Sequence, residues 1–176
     1  ICHPSMCNDN LSGIAVQTFL AKKLLGIKLK YSYRFLFIPE TIGSILWLSL
    51  NKDKFNLIKF GLVISCCGDE GELNYKKTRR GDTSLDIIME HLQINTRNFV
   101  PRGSDEGQYC SPGINLDFGV ITRTPYTEFE EYHTSKDDLN YIKPDKLNDT
   151  FEHLLKIVDL LEDNRYYLSK KPNCEP

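Results

Sequence analysis

The stretch KFGLVISCCGDEG, residues 59–71, decides how this chain folds. Lys59 to Cys67 is a short, nearly continuous apolar run, and Gly68-Asp69-Glu70-Gly71 closes it with turn residues. That pattern predicts a buried β-strand running into a tight loop. Outward from it, strands and helices alternate. On the N-terminal side, Leu11–Leu25 reads as a helix with Ile14, Phe19, Leu20 and Leu24 inward and Gly26 ending it. Tyr31–Ile38 (YSYRFLFI) reads as a buried strand stopped by Pro39, and Ile42–Leu50 as a short apolar helix. On the C-terminal side, Ser84–Leu92 predicts an amphipathic helix and Ile114–Thr122 a strand after Pro112-Gly113. Pro144 opens a last helix, Asp145–Asn164, with Phe151, Leu154, Leu155, Val158 and Leu161 on one face. The alternation predicts an α/β layered fold with a mostly parallel sheet. Residues 1–165 form one domain in this reading, and 166–176 a tail or linker leaving it.

Composition sets the bounds. The 176 residues suit a single domain with a real core, and the 40% apolar content is ordinary for a globular protein. Net charge is −2 with no basic stripe, which argues against a nucleic-acid partner. The longest apolar stretches, such as Ile42–Leu50, are too short to span a bilayer. Six cysteines are present, none in a CxxC. Cys66 and Cys67 lie inside the apolar run, so free thiols in a reducing, cytoplasmic setting are expected. In that setting the sequons at Asn10 and Asn148 carry no weight.

The acidic and imidazole residues fall at recurring places on this map. His3 follows Ile1-Cys2, which read as the last residues of a strand, so the chain reads as a piece of a longer protein with a strand upstream. Asp9 precedes the first helix, Glu40 follows the YSYRFLFI strand, Asp69 follows the 59–67 strand, and His133 lies in the loop after the 114–122 strand. Taken singly, each has a plain explanation. Asp9 suits a helix N-cap, Asp69 a turn, and Glu40 and His133 solvated loops. His91 and His153 sit at polar helix positions and keep that plain reading. Together, however, two His, two Asp and one Glu converge on the carboxyl edge of the sheet, where open α/β folds build their sites. That is a ligand set for a divalent metal, most naturally zinc.

Five segments in order carry a family resemblance: NDNLSGIA (8–15), FLFIPETIGS (35–44), GLVISCCGDEG (61–71), RGSDEGQYCSPGI (102–114) and EYHTSKDDLNYI (131–142). They resemble the Asp-Asn-x-Ser-Gly, Glu-Glu, strand-end Asp, Ser-Asp-His and His-Thr-x-x-Asp segments of zinc aminopeptidases of the bacterial leucyl aminopeptidase and glutaminyl cyclase type. The resemblance runs from His3 to about Ile142, in a branch of larger bacterial aminopeptidase-like proteins. It implies a three-layer αβα sandwich around a central, mostly parallel mixed sheet, the zinc-exopeptidase (phosphorylase/hydrolase-like) fold. It further implies one or two zinc ions, with His3, Asp9 and Asp69 on the first and Asp9 and His133 on the second. Glu40 would be the general base acting on zinc-bound water, and the substrate a peptide or aminoacyl small molecule.

Three departures bear on the chemistry. The family's paired Glu-Glu is Glu40-Thr41 here, so either Glu40 is the base and the second zinc keeps only Asp9 and His133, or Glu40 is a ligand and Glu70 or Glu106 replaces the base. The family's His is followed two residues on by an Asp, whereas His3-Pro4-Ser5 has none. Ser-Asp-His is Ser104-Asp105-Glu106, and Asp105 and Glu106 are the candidate substrate-binding pair, a Glu there suiting an α-amine. Two function classes follow. One is a zinc-dependent aminopeptidase or related amide hydrolase. The other is a single-zinc acyl transferase of cyclase type or a non-catalytic binding descendant.

Overall fold

The computed structural model describes residues 3–163. Among the described residues, five α-helices surround a four-stranded sheet. In chain order the elements are α1 (Gly13–Leu24), α2 (Ile42–Leu50), β1 (Gly61–Ile64), β2 (Asn74–Lys76), α3 (Ser84–His91), β3 (Asn95–Arg97), α4 (Glu106–Tyr109), β4 (Phe118–Thr122) and α5 (Pro144–Asp163). A 3₁₀ turn, Lys52–Leu57, links α2 to β1. The strands are ordered β1-β4-β2-β3, with β1 parallel to β4, β2 parallel to β3, and β2 antiparallel to β4. This is the mixed α/β sheet with flanking helices that the alternation predicts.

Both faces of the sheet are covered. All five residues of β4 are buried, as a strand sandwiched between helical layers requires. Ile121 faces one core, made by Val16 and Leu20 of α1, Leu85, Ile88 and Met89 of α3, and Leu154, Ile157, Val158 and Leu161 of α5. Phe118, three residues away and so on the opposite face, joins a second core with Leu48 of α2 and Tyr109 of α4. Gly119 lets Tyr75 of the neighbouring strand lie flat on β4. A Cβ there would stand 2.3 Å from the Tyr75 ring. The Tyr75 hydroxyl donates to Asp86 Oδ1 at 2.8 Å, and Asp86 also receives both the backbone N–H and the hydroxyl of Thr78 and of Thr83. Thr83 and Asp86 form a capping box that starts α3.

Several expected elements differ. Tyr31–Ile38 has no regular secondary structure and is no strand. It stands off from β1 across an apolar cleft of about 930 Å³, lined by Tyr33, Phe35, Phe60 and Leu62 among others. A β-prone sequence becomes a strand only where a neighbour completes its ladder, and the cleft separates this one from β1. The 59–67 strand is shorter than its apolar run, at Gly61–Ile64, and the 114–122 strand begins only at Phe118. Phe19 is 63% exposed, not inward, because the buried stripe of α1 runs through Val16 and Leu20 at an i,i+4 spacing that leaves Phe19 off the face. Strands β2 and β3 went unread, each being three residues long and largely polar. Cys7, Cys66, Cys67 and Cys110 are buried free thiols. Among the described residues no helix is long and apolar enough to cross a membrane. The 166–176 tail lies outside the described residues.

Candidate metal centre

Three loops meet beyond the carboxyl ends of β1 and β4. The first is the segment before α1. Cys7–Ser12 is a distorted turn in which Asp9 (φ −111°, ψ 80°) and Asn10 leave helical geometry. Asp9 is therefore no N-cap for α1. The N-cap position is Ser12, which makes no side-chain cap bond; Asn10 satisfies the first helical amide instead, its Oδ1 accepting from Gly13 N at 3.1 Å and its Nδ2 donating to Ile64 O of β1 at 2.8 Å. Gly13 permits this closeness, since a Cβ there would lie 2.5 Å from Ile64 O. Freed from capping, the Asp9 carboxylate points to His133, with 3.1 Å between Oδ2 and Nε2. The imidazole of His3 packs edge-on against His133, ring centroids 4.0 Å apart. One ligating atom each from His3, Asp9 and His133 lies within 4.8 Å of the others.

Tyr132 stacks on His133 at 3.7 Å between ring centroids. Burial, followed by the negative charge of Asp9 and Glu40 nearby, pushes the Tyr132 phenol up to about 12. It is consequently a neutral O–H donor at physiological pH. Backbone strain collects here too. Four of the seven non-glycine residues with positive φ are Ser5, Thr41, Cys66 and His133, each a candidate ligand or base or within a few residues of one. Such outliers concentrate where a site dictates the backbone.

The other expected residues have different surroundings. Asp69 is buried and its carboxylate is saturated. Oδ1 accepts from Gly71 N (2.8 Å), Thr124 N (3.1 Å) and Thr124 Oγ1 (2.5 Å), and Oδ2 from Asn8 Nδ2 at 2.9 Å. It stands directly behind the Asp9 turn, outside the His3–Asp9–His133 group. Gly68, just before it, faces Ile142, whose Cγ2 would be 2.9 Å from an added Cβ. Glu40 is half-buried and accepts from Ser104 Oγ at 3.1 Å. Asp105 accepts from Thr41 N at 2.7 Å and Ser44 Oγ at 3.0 Å, tying down the turn that follows Glu40. Glu106 is fully buried. Its Oε1 meets Lys76 Nζ and Gly103 N, both at 3.1 Å, while Oε2 has no protein partner. Lys76 Nζ also contacts Pro101 O and the Tyr126 hydroxyl. Glu70 is exposed, 4.0 Å from Lys143. The structure thus brings together three of the four expected ligands and places Asp69 in the wall behind them.

Sequence reasoning passed over the residues that hold the loops. Asn8 bridges Asp69 and Gly68 N, Thr124 caps Asp69, and Asp137 binds the Asp9 turn. Asp137 was visible as the last residue of His133-Thr134-Ser135-Lys136-Asp137, although nothing in the spacing says where its side chain goes.

Residues 1–164 match the family model described as a domain of unknown function, DUF4910, and the chain belongs to that family. It is 52% identical, over 99% of its length, to a Clostridium acetobutylicum protein named for polysaccharide biosynthesis and an aminopeptidase-like domain, and covers 42% of that protein. A crystal structure of a C. acetobutylicum protein named as a peptidase superposes with a TM-score of 0.92 at 52% identity, over 100% of this chain and 43% of that one. The chain therefore spans less than half the length of these relatives. An aminopeptidase from Aneurinibacillus sp. strain AM-1 gives a TM-score of 0.76 at 18% identity, covering 92% of this chain and 41% of that one. A zinc aminopeptidase from Bacillus subtilis gives 0.73 at 18%, covering 91% and 43%. At such identities the likeness shows the fold, which is that of the zinc exopeptidases.

Proposed function

We propose that this member of the DUF4910 family carries the metal-binding and catalytic edge of an aminopeptidase-like hydrolase acting on an amide at an amino terminus. The observation that carries the reading is the His3–Asp9–His133 group, two imidazoles and a carboxylate with ligating atoms within 4.8 Å. Three N and O donors with an open side are the usual protein share of a catalytic zinc site. The donor set supports one ion. A second would draw on Glu40 or Asp69, and Asp69 already accepts from four protein donor groups. A bound zinc supplies Lewis acidity and lowers the pKa of its water to about 7.

The rest is done by the chain. Glu40 takes the proton of the attacking water and delivers it to the leaving amine, its carboxylate oriented by Ser104. Tyr132, stacked on His133, would bring a neutral phenol O–H to the rim of the group, where it could donate to an oxygen that gains negative charge. Glu106 is committed to Lys76 and Gly103 through Oε1, and its Oε2, which is unpartnered but fully buried, would meet a substrate ammonium only once the residues over it move aside. A zinc count of one also suits amide transfer of the cyclase kind, so the assay needs both arms.

The test is made on the full-length protein. Zinc content by elemental analysis is expected near one per chain, falling on His3→Ala. Aminoacyl and peptidyl amides, with amide-bearing saccharides added because of the relative's name, are expected to include a hydrolysed substrate. Glu40→Gln should retain zinc while turnover falls about 10²- to 10⁴-fold, with little change in substrate binding. Loss of zinc in Glu40→Gln would make Glu40 a ligand. Zinc in the wild type with no hydrolysis of any of these amides would favour the transfer reaction.

A further inference from the structure

The His133 loop and the Asp9 turn are far apart in sequence, and one side chain joins them. Asp137 is buried, 2% exposed, four residues after His133. Three consecutive amides of the Asp9 turn end on it. Cys7 N donates to the Asp137 carbonyl at 3.0 Å, Asn8 N to Oδ1 at 2.5 Å and Asp9 N to Oδ2 at 2.9 Å. Asp137 N is itself held by Thr134 O at 3.1 Å, one residue beyond His133. Here the whole peptide face of residues 7–9 is oriented by one residue of the loop that carries His133.

We infer that Asp137 is a positioning residue, a clamp that fixes the Asp9 carboxylate against the His133 imidazole and so sets the geometry of the metal-binding group. The inference rests on the zinc reading of that group. The chemistry is direct. Both carboxylate oxygens accept from N–H groups of adjacent peptides, so the Asp137 plane dictates the Asp9 backbone, and the Asp9 side chain leaves that backbone toward His133. Outer partners of this kind set ligand direction and commonly change metal affinity by 10- to 100-fold when removed. Asn at this position keeps one accepting oxygen but turns an NH₂ toward an N–H donor, so it retains half of the clamp.

The experiment compares wild type, Asp137→Ala, Asp137→Asn and Glu130→Ala in the full-length protein, Glu130 being an exposed acid of the same loop. Two readouts are taken: hydrogen exchange of the Asn8 and Asp9 amides without metal, and zinc affinity by competition with a chromophoric chelator. Asp137→Ala should speed both amides and weaken zinc at least tenfold. Asp137→Asn should lie between it and wild type, and Glu130→Ala should match wild type. Unchanged Asn8 and Asp9 exchange in Asp137→Ala overturns the clamp whether or not zinc binds. Zinc held equally tightly by wild type and Asp137→Ala, or weakened equally by Glu130→Ala, overturns its role at the site. A wild type that takes up no zinc defeats the zinc reading and, with it, this role, while the exchange data still report the clamp. If Asp137→Ala does not fold, Asp137→Asn carries the comparison alone and must show both intermediate effects.

Discussion

Asp9 and Asp69 stand on either side of one turn and live under opposite rules. Asp69 is buried and takes hydrogen bonds from Asn8, Gly71 and both groups of Thr124. Asp9 is half-buried, and its carboxylate is directed at a histidine that is itself solvent-accessible. One carboxylate is saturated by the fold and the other is kept available. The two loops that carry them touch through Asn8, which precedes Asp9 and donates to Asp69 Oδ2, so one carboxylate is paired by the neighbour of the other. A buried, fully paired carboxylate has the surroundings of framework, and a partly paired one facing imidazoles has those of a candidate ligand.

The sharpest way to break that contrast is to truncate both. Asp69→Ala leaves the donors of Asn8, Gly71 and Thr124 unpaired in the interior and should cost about 3–5 kcal/mol of stability, read as a lowered denaturant midpoint. Asp9→Ala should leave metal-free stability within about 1 kcal/mol of wild type while abolishing zinc uptake. The contrast fails if Asp69→Ala melts like wild type and loses only its zinc, for then Asp69 is a ligand.

A smaller effect concerns a second framework carboxylate. Burial raises the Asp86 carboxyl, but the hydrogen bonds from Thr78 and Thr83 outweigh it and hold the group below the usual carboxylate range. The native state therefore binds this proton less readily than the unfolded chain. The stabilisation is complete above pH about 4, where an unfolded Asp is ionised, and is lost as pH falls through the lower native pKa. Asp86→Asn should destabilise by about 1–3 kcal/mol at neutral pH, and the gap to wild type should narrow in acid. A gap that stays constant to pH 2 would remove Asp86 from the acid response.

The smallest expected effect is at Phe19. It is largely exposed, so Phe19→Ser should shift stability by no more than about 0.5 kcal/mol, against about 2–5 kcal/mol for Leu20→Ala one position along. Equal losses would restore Phe19 to the core.

The same two aspartates show what was legible in the sequence. Position relative to the strands was readable, because turn residues end apolar runs and place both carboxylates at the sheet's edge. Partnership was not, because the donors to Asp69 come from residues 8, 71 and 124, and the clamp on Asp9 comes from residue 137. Local pattern also gave the bounds of α2 and almost all of α5, where apolar spacing and Pro144 suffice. It failed for Tyr31–Ile38, whose aromatic, β-prone sequence needs a ladder partner that no local signal reports, and for β2 and β3, which owe their strand character to β4 and to each other.

Among the described residues the sheet ends at β1, and its outer side is an adhesive margin. Gly61–Ile64 pairs with β4 on one side, while its other side looks into the apolar cleft, and the four residues contain no charge and no proline to repel a newcomer. Natural edges carry such guards because a bare one templates any extended segment that reaches it. At high concentration self-association along this margin is the expected consequence, limited at its far end by Asn10, whose Nδ2 already donates to Ile64 O. Light scattering that rises with concentration, and a Lys at Val63 that suppresses it, are what this margin prescribes for anyone handling the protein.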